Sequence, residues 1–454
     1  MRNQGQRVHA GLRAGIVEGR LAAGLRLPSS RALATQLGVR RNAIVTAYEQ
    51  LIGDGLAEAR PGAGTYVAAR LPVRARAPRG VALDVAINTQ RPFALGHTLV
   101  EPQLLQRLAA SIKRRIATAG AAELGYGDPR GSAALRREIA RHLASSRGIP
   151  CDPSCIVIVS GTQAGLRLCC DALFAPGDAV WLEDPGYYAS RRTLVAAGVR
   201  PLPVPVDDEG LVVTAGMATR RKAKGAYVTP SHQFPTGVTM SMRRRVALLE
   251  WARAEKAWII EDDYDSEFRY AGPPLTALAG IGGERVIYIG TFSKTLFAGL
   301  RLAYLVLPPD LVSRVVATRA AYDRFPPSFV QDGVADLMAA GITAAHVRRM
   351  RTRYRAARDL VVDVLAKTSG GALDLSVPTQ GLHMLAYLRA GVPNETARAI
   401  IAASGVDARL LSETRADPRG REAFILGFAG HGLGDLQDAA ERLGQAACEL
   451  AGGG

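Results

Sequence analysis

Six short, nearly continuous apolar runs between residues 155 and 308 constrain this chain most. They read CIVIVSG, DAVWLEDPG, GAYVTPSH, AWIIEDDYD, RVIYIGTFS and LAYLVLP. Helical patterns such as TQAGLRLCCDALF and RRRVALLEWARAE lie between several of them. A strand with no apolar–polar alternation has to be covered on both faces, as in a parallel sheet flanked by helices. The spacing predicts an α/β body with a doubly wound, mostly parallel sheet. Such sheets bind ligands beyond the carboxyl ends of their strands. After about residue 345 the pattern changes. RRMRTRYRAARDLVVDVLA predicts a long amphipathic helix, and the tail then alternates strands and helices as a smaller α+β lobe.

The first 68 residues read differently. HAGLRAGIVEG has helical spacing and stops at Gly19. In LPSSRALATQLGV, Ser29 or Ser30 is placed to cap a short helix whose Leu33 and Leu37 face inward, and Gly38 breaks it. A second helix follows over roughly RRNAIVTAYEQLIGDG. Two short helices joined this way make a helix-turn-helix, whose second helix can enter a major groove. Its start carries Arg40, Arg41 and Asn42, types that bond base edges and phosphates. LAEARPGAGTYVA then predicts strand, glycine turn and strand: a wing, with Arg60 near its tip.

Charge supports that reading. Residues 1–80 hold 13 Arg, no Lys and four acids, a net +9 of the chain's +16. Positive charge gathered at one end fits a polyanionic partner, here double-stranded DNA. Residues 69–92, rich in Pro, Arg and Gly, read as a linker between a head over 1–68 and a body over 93–454. Within the body a large part spans about 93–345 and a small lobe about 346–454. The five cysteines match no zinc spacing, so no metal site is expected; Cys169 and Cys170 fall in an apolar helical stretch and read as core. No leader pattern opens the chain and no run of 18 apolar residues occurs, which points to a cytoplasmic setting.

Four motifs stand at predicted strand ends in the body. Ser160-Gly161-Thr162 follows the first strand and starts a helix, where backbone N–H groups can approach a phosphate. Tyr187 follows a Pro-Gly turn and can stack on a planar ring. Glu261, Asp262 and Asp263 end an apolar strand, a costly place for charge without partners. A carboxylate facing a pyridine nitrogen keeps it protonated; Asp262 is the choice for that role, and Tyr264 for a contact to the ring's phenolic oxygen. Lys294 follows a strand and small hydroxyl residues, where burial depresses its pKa and suits it to a Schiff base. Thr291, Ser293 and Arg301 are placed to bind phosphate oxygens. These residue types converge on pyridoxal 5'-phosphate.

The head resembles the winged helix of the GntR superfamily, through GRLAAGLRLPSSRALATQLGV, AYEQLIGDGL and GAGTYV. That resemblance implies DNA contacts from Arg31, Arg41, Asn42 and the wing at Gly64. Arg40 and Ala43 stand where Ser and Thr are common, which bears on base preference. The body looks like a fold-type I aminotransferase. The whole chain resembles the MocR/GabR/PdxR family of regulators, through YGDPRGSAALRREIA, EDPGYY, TPSHQFPTGVTMS, IIEDDYDSEFRY and GTFSKTLFAGLRL. It implies Lys294 as the Schiff-base lysine, Asp262 on the pyridine nitrogen, Tyr264 on the phenolic oxygen and Tyr187 stacking. It implies phosphate contacts from Ser160, Gly161, Thr162, Thr291, Ser293 and Arg301.

Two departures matter. Many aminotransferases read Asn-Pro-Thr-Gly where this chain has Phe234-Pro235-Thr236-Gly237, so the Asn contact to the phenolic oxygen is missing. His232 is a candidate replacement, with a buried structural histidine as the other reading. Aminotransferases also hold a substrate carboxylate with an Arg near the strand that reads FILGFA here, and no Arg occupies it. Arg409 and Arg415 are nearby in sequence, and Arg409 is the choice for an effector carboxylate. The expectation is a regulator that binds operator DNA and senses pyridoxal phosphate, or a small amine or amino acid, through Lys294. The alternative is an active aminotransferase carrying a DNA-binding head. Resemblance further implies a homodimer.

Overall fold

The computed structural model describes residues 4–70, 91–321, 323–324 and 327–451. The linker expected over 69–92 lies, for its residues 71–90, outside the described residues. The chain forms two compact units, Met1–Ala86 and Ile87–Gly454.

In the first unit, α1 (Gln4–Val17), α2 (Ser30–Leu37) and α3 (Arg41–Gly53) precede a hairpin of β1 (Ala57–Arg60) and β2 (Gly64–Val67). Ser29 caps α2 by accepting from the Ala32 N–H at 3.2 Å. Gly38 ends it in the left-handed region at φ 63°, where a side chain is strained. Ile16, Leu27, Leu33, Ile44, Leu51 and Val67 form the core. Leu37, expected inward, is 49 % exposed. It is the last residue of α2. The chain reverses at Gly38, and Val39 packs against the core from there instead.

The second unit holds an eight-stranded sheet in the order β3-β10-β9-β8-β7-β4-β5-β6. The strands are β3 (Ile156–Val159), β4 (Ala179–Asp184), β5 (Arg200–Asp207), β6 (Gly210–Leu211), β7 (Ala223–Val228), β8 (Trp258–Asp263), β9 (Val286–Thr291) and β10 (Ala303–Val306). From β5 through β4, β7 and β8 to β9 the pairing is parallel. β10 runs antiparallel between β3 and β9, so the sheet is mixed. All six apolar runs are strands. β5 escaped the sequence reading because Pro201, Pro203 and Pro205 interrupt it. A period of two puts all three missing N–H groups on one edge of the strand. The other edge remains able to pair with β4.

A separate antiparallel sheet, β11-β12-β14-β13, forms the small lobe. It comprises β11 (Leu373–Ser376), β12 (His383–Leu388), β13 (Arg409–Leu410) and β14 (Ala423–Gly427). The helices Ile342–Thr368 and Leu433–Ala451 help bury it, through Met350, Tyr354, Leu365, Leu436 and Leu443. Cys169 and Cys170 are core residues. No helix among the described residues is long and apolar enough to cross a membrane.

The end of β8 is pinned by a buried ion pair. Arg147 Nε lies 2.7 Å from Asp263, and its guanidinium also donates to the Leu275 carbonyl at 2.7 Å and Ser231 Oγ at 2.6 Å. Arg147→Met strands the Asp263 charge with the Tyr288 hydroxyl, 2.7 Å away, as its remaining partner. Chemical denaturation is expected to show a loss of about 3–5 kcal/mol.

Candidate functional site

The carboxyl ends of β4, β7, β8 and β9 meet the small lobe around a cavity of about 520 Å³. Thr162, Tyr187, Asp262, Tyr264, Thr291 and Ser293 line it, with Lys294, Arg301 and Arg409. Residues far apart in sequence thus converge, as the strand-end rule predicts.

Lys294 follows β9, and its Nζ lies 3.4 Å from the Gly96 carbonyl. Burial pushes its amine below the usual lysine range, against the opposing pull of Asp265 and Asp262. A neutral amine is the nucleophilic form. Asp262 ends β8. Its Oδ2 accepts a short hydrogen bond from the Tyr227 hydroxyl on β7. Its Oδ1 is buried and has no partner among the described residues. Burial raises this carboxyl to about 7, although the Tyr227 bond works the other way.

Opposite Lys294, the helix Thr162–Leu173 begins after Gly161 at φ 109°. A Cβ at Gly161 would sit 2.9 Å from the Arg301 guanidinium, so only glycine lets that group approach. Arg301 Nη2 donates to the Ser160 carbonyl at 2.9 Å. Ser160 and Gly161 therefore back Arg301, while Thr162 lines the cavity. A helix N-terminus, a guanidinium and the hydroxyls of Thr291 and Ser293 make a cationic, donor-rich corner.

Tyr187 meets Phe234 edge-on, with ring centroids 5.6 Å apart. Phe234 also meets Tyr264 edge-on at 6.4 Å. His232 is not a fully satisfied histidine. Its Nδ1 approaches Asp265 at 3.0 Å and the Tyr264 hydroxyl at 3.2 Å, but its Nε2 has no partner among the described residues. At the small-lobe wall, the Arg409 guanidinium carbon sits 4.0 Å above the Tyr188 ring, and Nη1 lies 3.6 Å from Glu413. Arg409 pairs across β13 and β14 with Ile425, on the strand that lacks an arginine. Arg415 bonds the carbonyls of Arg419 and Arg421 and does not line the cavity.

The sequence reading missed Tyr227, Gly96 and His383. Tyr227 lies within the apolar run GAYVTPSH, and its pairing with Asp262 needs the β7–β8 register. Gly96 lies in a segment without periodicity and reaches Lys294 across 198 positions. In the head, Arg31, Arg40, Arg41, Asn42, Arg60 and Gly64 are all exposed. Arg41 Nε donates to Ser30 Oγ at 3.3 Å, and Arg60 lies 4.3 Å over the Tyr66 ring.

Residues 4–67 match the family of bacterial regulatory proteins, gntR family, and residues 94–443 match aminotransferase class I and II. Over 92 % of its length the chain is 34 % identical to the probable rhizopine catabolism regulatory protein MocR of Rhizobium meliloti, covering 88 % of that protein. The chain belongs to the MocR-type family of helix-turn-helix transcriptional regulators. A second MocR-type relative is the pyridoxine biosynthesis transcriptional regulator PdxR of Corynebacterium glutamicum, at 32 % identity over 92 % of this chain and 90 % of PdxR. The body of this MocR-type chain also superposes on solved aminotransferases. Kynurenine aminotransferase of Pyrococcus horikoshii, solved with PMP, gives a TM-score of 0.71 at 26 % identity, covering 80 % of this chain and 92 % of the other. LysN of Thermus thermophilus, complexed with N-(5'-phosphopyridoxyl)-L-leucine, gives 0.71 at 26 % identity over 79 % and 92 %. The GntR head is a DNA-binding domain, and the MocR-type body has the aminotransferase fold.

The raised Asp262 carboxyl links stability to pH. Between about pH 4 and 7 the ligand-free folded chain keeps a proton that the unfolded chain has released. This contribution is fully present below about pH 4 and is lost as pH rises to about 7. Asp262→Asn is expected to remove about 3 kcal/mol of that pH-dependent loss, read by denaturation of the ligand-free protein at both pH values.

Proposed function

We propose that this chain is a transcription regulator whose body holds pyridoxal phosphate on Lys294 and senses either that cofactor or an amine or amino-acid effector. The observation that carries the reading is the pairing of a desolvated Lys294 amine with an unpartnered, buried Asp262 oxygen in one cavity. The orphaned acceptor suits the protonated nitrogen of a pyridine ring. The cationic corner around Arg301 suits the phosphate. The donor set therefore fits the cofactor.

Bound there, pyridoxal phosphate supplies an electrophilic carbon that exchanges one primary amine for another. Lys294 would hold the group through Nζ and, when freed, would take up a proton at that atom. Asp262 holds the ring nitrogen protonated. Thr162, Thr291, Ser293 and Arg301 bind phosphate oxygens, with Ser160 and Gly161 placing Arg301. Tyr187 covers the ring and Tyr264 bonds its phenolic oxygen. Arg409, held over Tyr188, receives a carboxylate on the effector. To act on transcription the effector must bind one arrangement of the chain more tightly than another, since equal affinity shifts nothing. In the head, Arg31, Arg40, Arg41, Asn42, Arg60 and the wing at Gly64 contact operator DNA, and a homodimer presents two heads to repeated half-sites.

Phe234 in place of Asn and the lack of an arginine on β14 favour sensing over turnover. Mixing Lys294→Ala with pyridoxal phosphate is expected to abolish the visible Schiff-base absorption, with circular dichroism unchanged; an unaltered spectrum removes Lys294 from its role. Arg41→Ala is expected to weaken operator binding and to lower the slope of log affinity against log salt by about 1. Wild-type affinity and slope in that variant would overturn the head assignment. Multiple-turnover transamination with a 2-oxo acid, without sequence-selective DNA binding, would establish an aminotransferase instead.

A further inference from the structure

Behind Tyr264 lies a polar pair that the proposed cofactor contacts leave unused. The His232 and Asp265 side chains are each 1 % exposed. His232 Nδ1 is 3.1 Å and 3.0 Å from the two Asp265 oxygens and 3.2 Å from the Tyr264 hydroxyl. Gly381, at φ 86°, packs so closely on both that a Cβ there would collide with them.

The geometry selects one tautomer of the ring. Nε2 is buried with no partner among the described residues, so it is unmatched in either tautomer, and Nδ1 makes the choice. A proton on Nε2 would leave the Nδ1 lone pair facing two carboxylate oxygens, which only accept. A proton on Nδ1 is donated to Asp265 instead. His383, whose ring centroid is 5.0 Å from that of His232, does not disturb this choice. Its Nε2 donates to the Pro235 carbonyl at 3.1 Å, and burial pushes its pKa down to about 3, so it is neutral.

The tautomer decides what Tyr264 does. An Nδ1 that already carries a hydrogen cannot accept another. The Tyr264 hydroxyl hydrogen is therefore not taken up by His232 and is left for the cavity that Tyr264 lines. We propose that Asp265 and His232 form a positioning pair that locks Tyr264 as a donor toward the phenolic oxygen of pyridoxal phosphate. The pair thereby supplies through Tyr264 the polarisation lost with the Asn that Phe234 replaces. This rests on the reading that pyridoxal phosphate occupies the cavity.

The test is a pH titration of the visible absorption of the full-length, pyridoxal phosphate-loaded protein. A donor on the phenolic oxygen draws charge away from the Schiff-base nitrogen, so losing it lets that nitrogen keep its proton to higher pH. Tyr264→Phe is expected to raise the midpoint by about one pH unit. Asp265→Asn keeps the side-chain shape but removes the carboxylate that holds the ring proton on Nδ1, so Nδ1 can become the acceptor of the Tyr264 hydrogen. It is expected to raise the midpoint in the same direction. The double variant is expected to move no further than Tyr264→Phe alone. Asp265→Ala, which likewise removes the acceptor that holds the proton on Nδ1, gives the same readout if Asp265→Asn does not fold. A wild-type midpoint in both Asp265→Asn and Asp265→Ala, beside a shifted Tyr264→Phe, overturns the positioning pair, as do additive shifts. No visible band in the wild type overturns the cofactor reading itself, and the pair with it.

Discussion

The carboxyl end of β8 is where the body of this molecule is decided. Three consecutive acids, Glu261, Asp262 and Asp263, end a strand buried on both faces, and each unpaired charge there would cost several kcal/mol. The surrounding elements are arranged to meet them. Glu261 accepts from the Leu278 and Ala279 N–H groups at 2.9 and 3.0 Å. Asp263 faces Arg147 and Tyr288. Of the three, Asp262 keeps a buried oxygen that has no partner among the described residues. Two carboxylates tie β8 to its neighbours so that the third can be aimed at a ligand.

The same logic holds the loop opposite. Glu183 at the end of β4 accepts from the Thr229 N–H and hydroxyl at 3.1 and 2.6 Å, and from Gln233 at 3.1 Å. These bonds seat the segment that carries His232 and Phe234 against Tyr187 and Tyr264. The cavity is thus walled by polar groups that are satisfied behind and incomplete in front. That is the arrangement a preorganised site needs, because the groups facing the ligand do not have to reorganise when it arrives.

Much of this was legible in residue order. The runs at β3, β4, β7, β8, β9 and β10 are apolar without alternation, and burial on both faces follows directly. Asp262 lies at the end of β8 and Lys294 just past β9, so a strand-end rule brings them to one side of the sheet. The head was equally readable, because Ser29, Gly38 and the Gly64 turn are local signals that act within a few residues. Misreadings came where a residue's setting depends on a distant partner. Leu37 has the spacing of a core residue but is the last residue of α2, next to the reversal at Gly38. β5 hid behind its prolines, whose effect depends on which edge of the strand is paired.

The sequence by itself determined the two-part organisation, the α/β class and the chemical types offered to a ligand, because these follow from local periodicity and from residues placed at strand ends. Only the tertiary structure decided which of those groups face one another. It placed Tyr227 on Asp262, Gly96 beside Lys294, Arg409 rather than Arg415 at the cavity wall, and His232 between Asp265 and Tyr264. The reason is physical. Hydrogen bonds and tautomers are settled by contacts of a few ångströms between segments up to 198 residues apart, and strand order and register, which set those contacts, are not written in any local pattern.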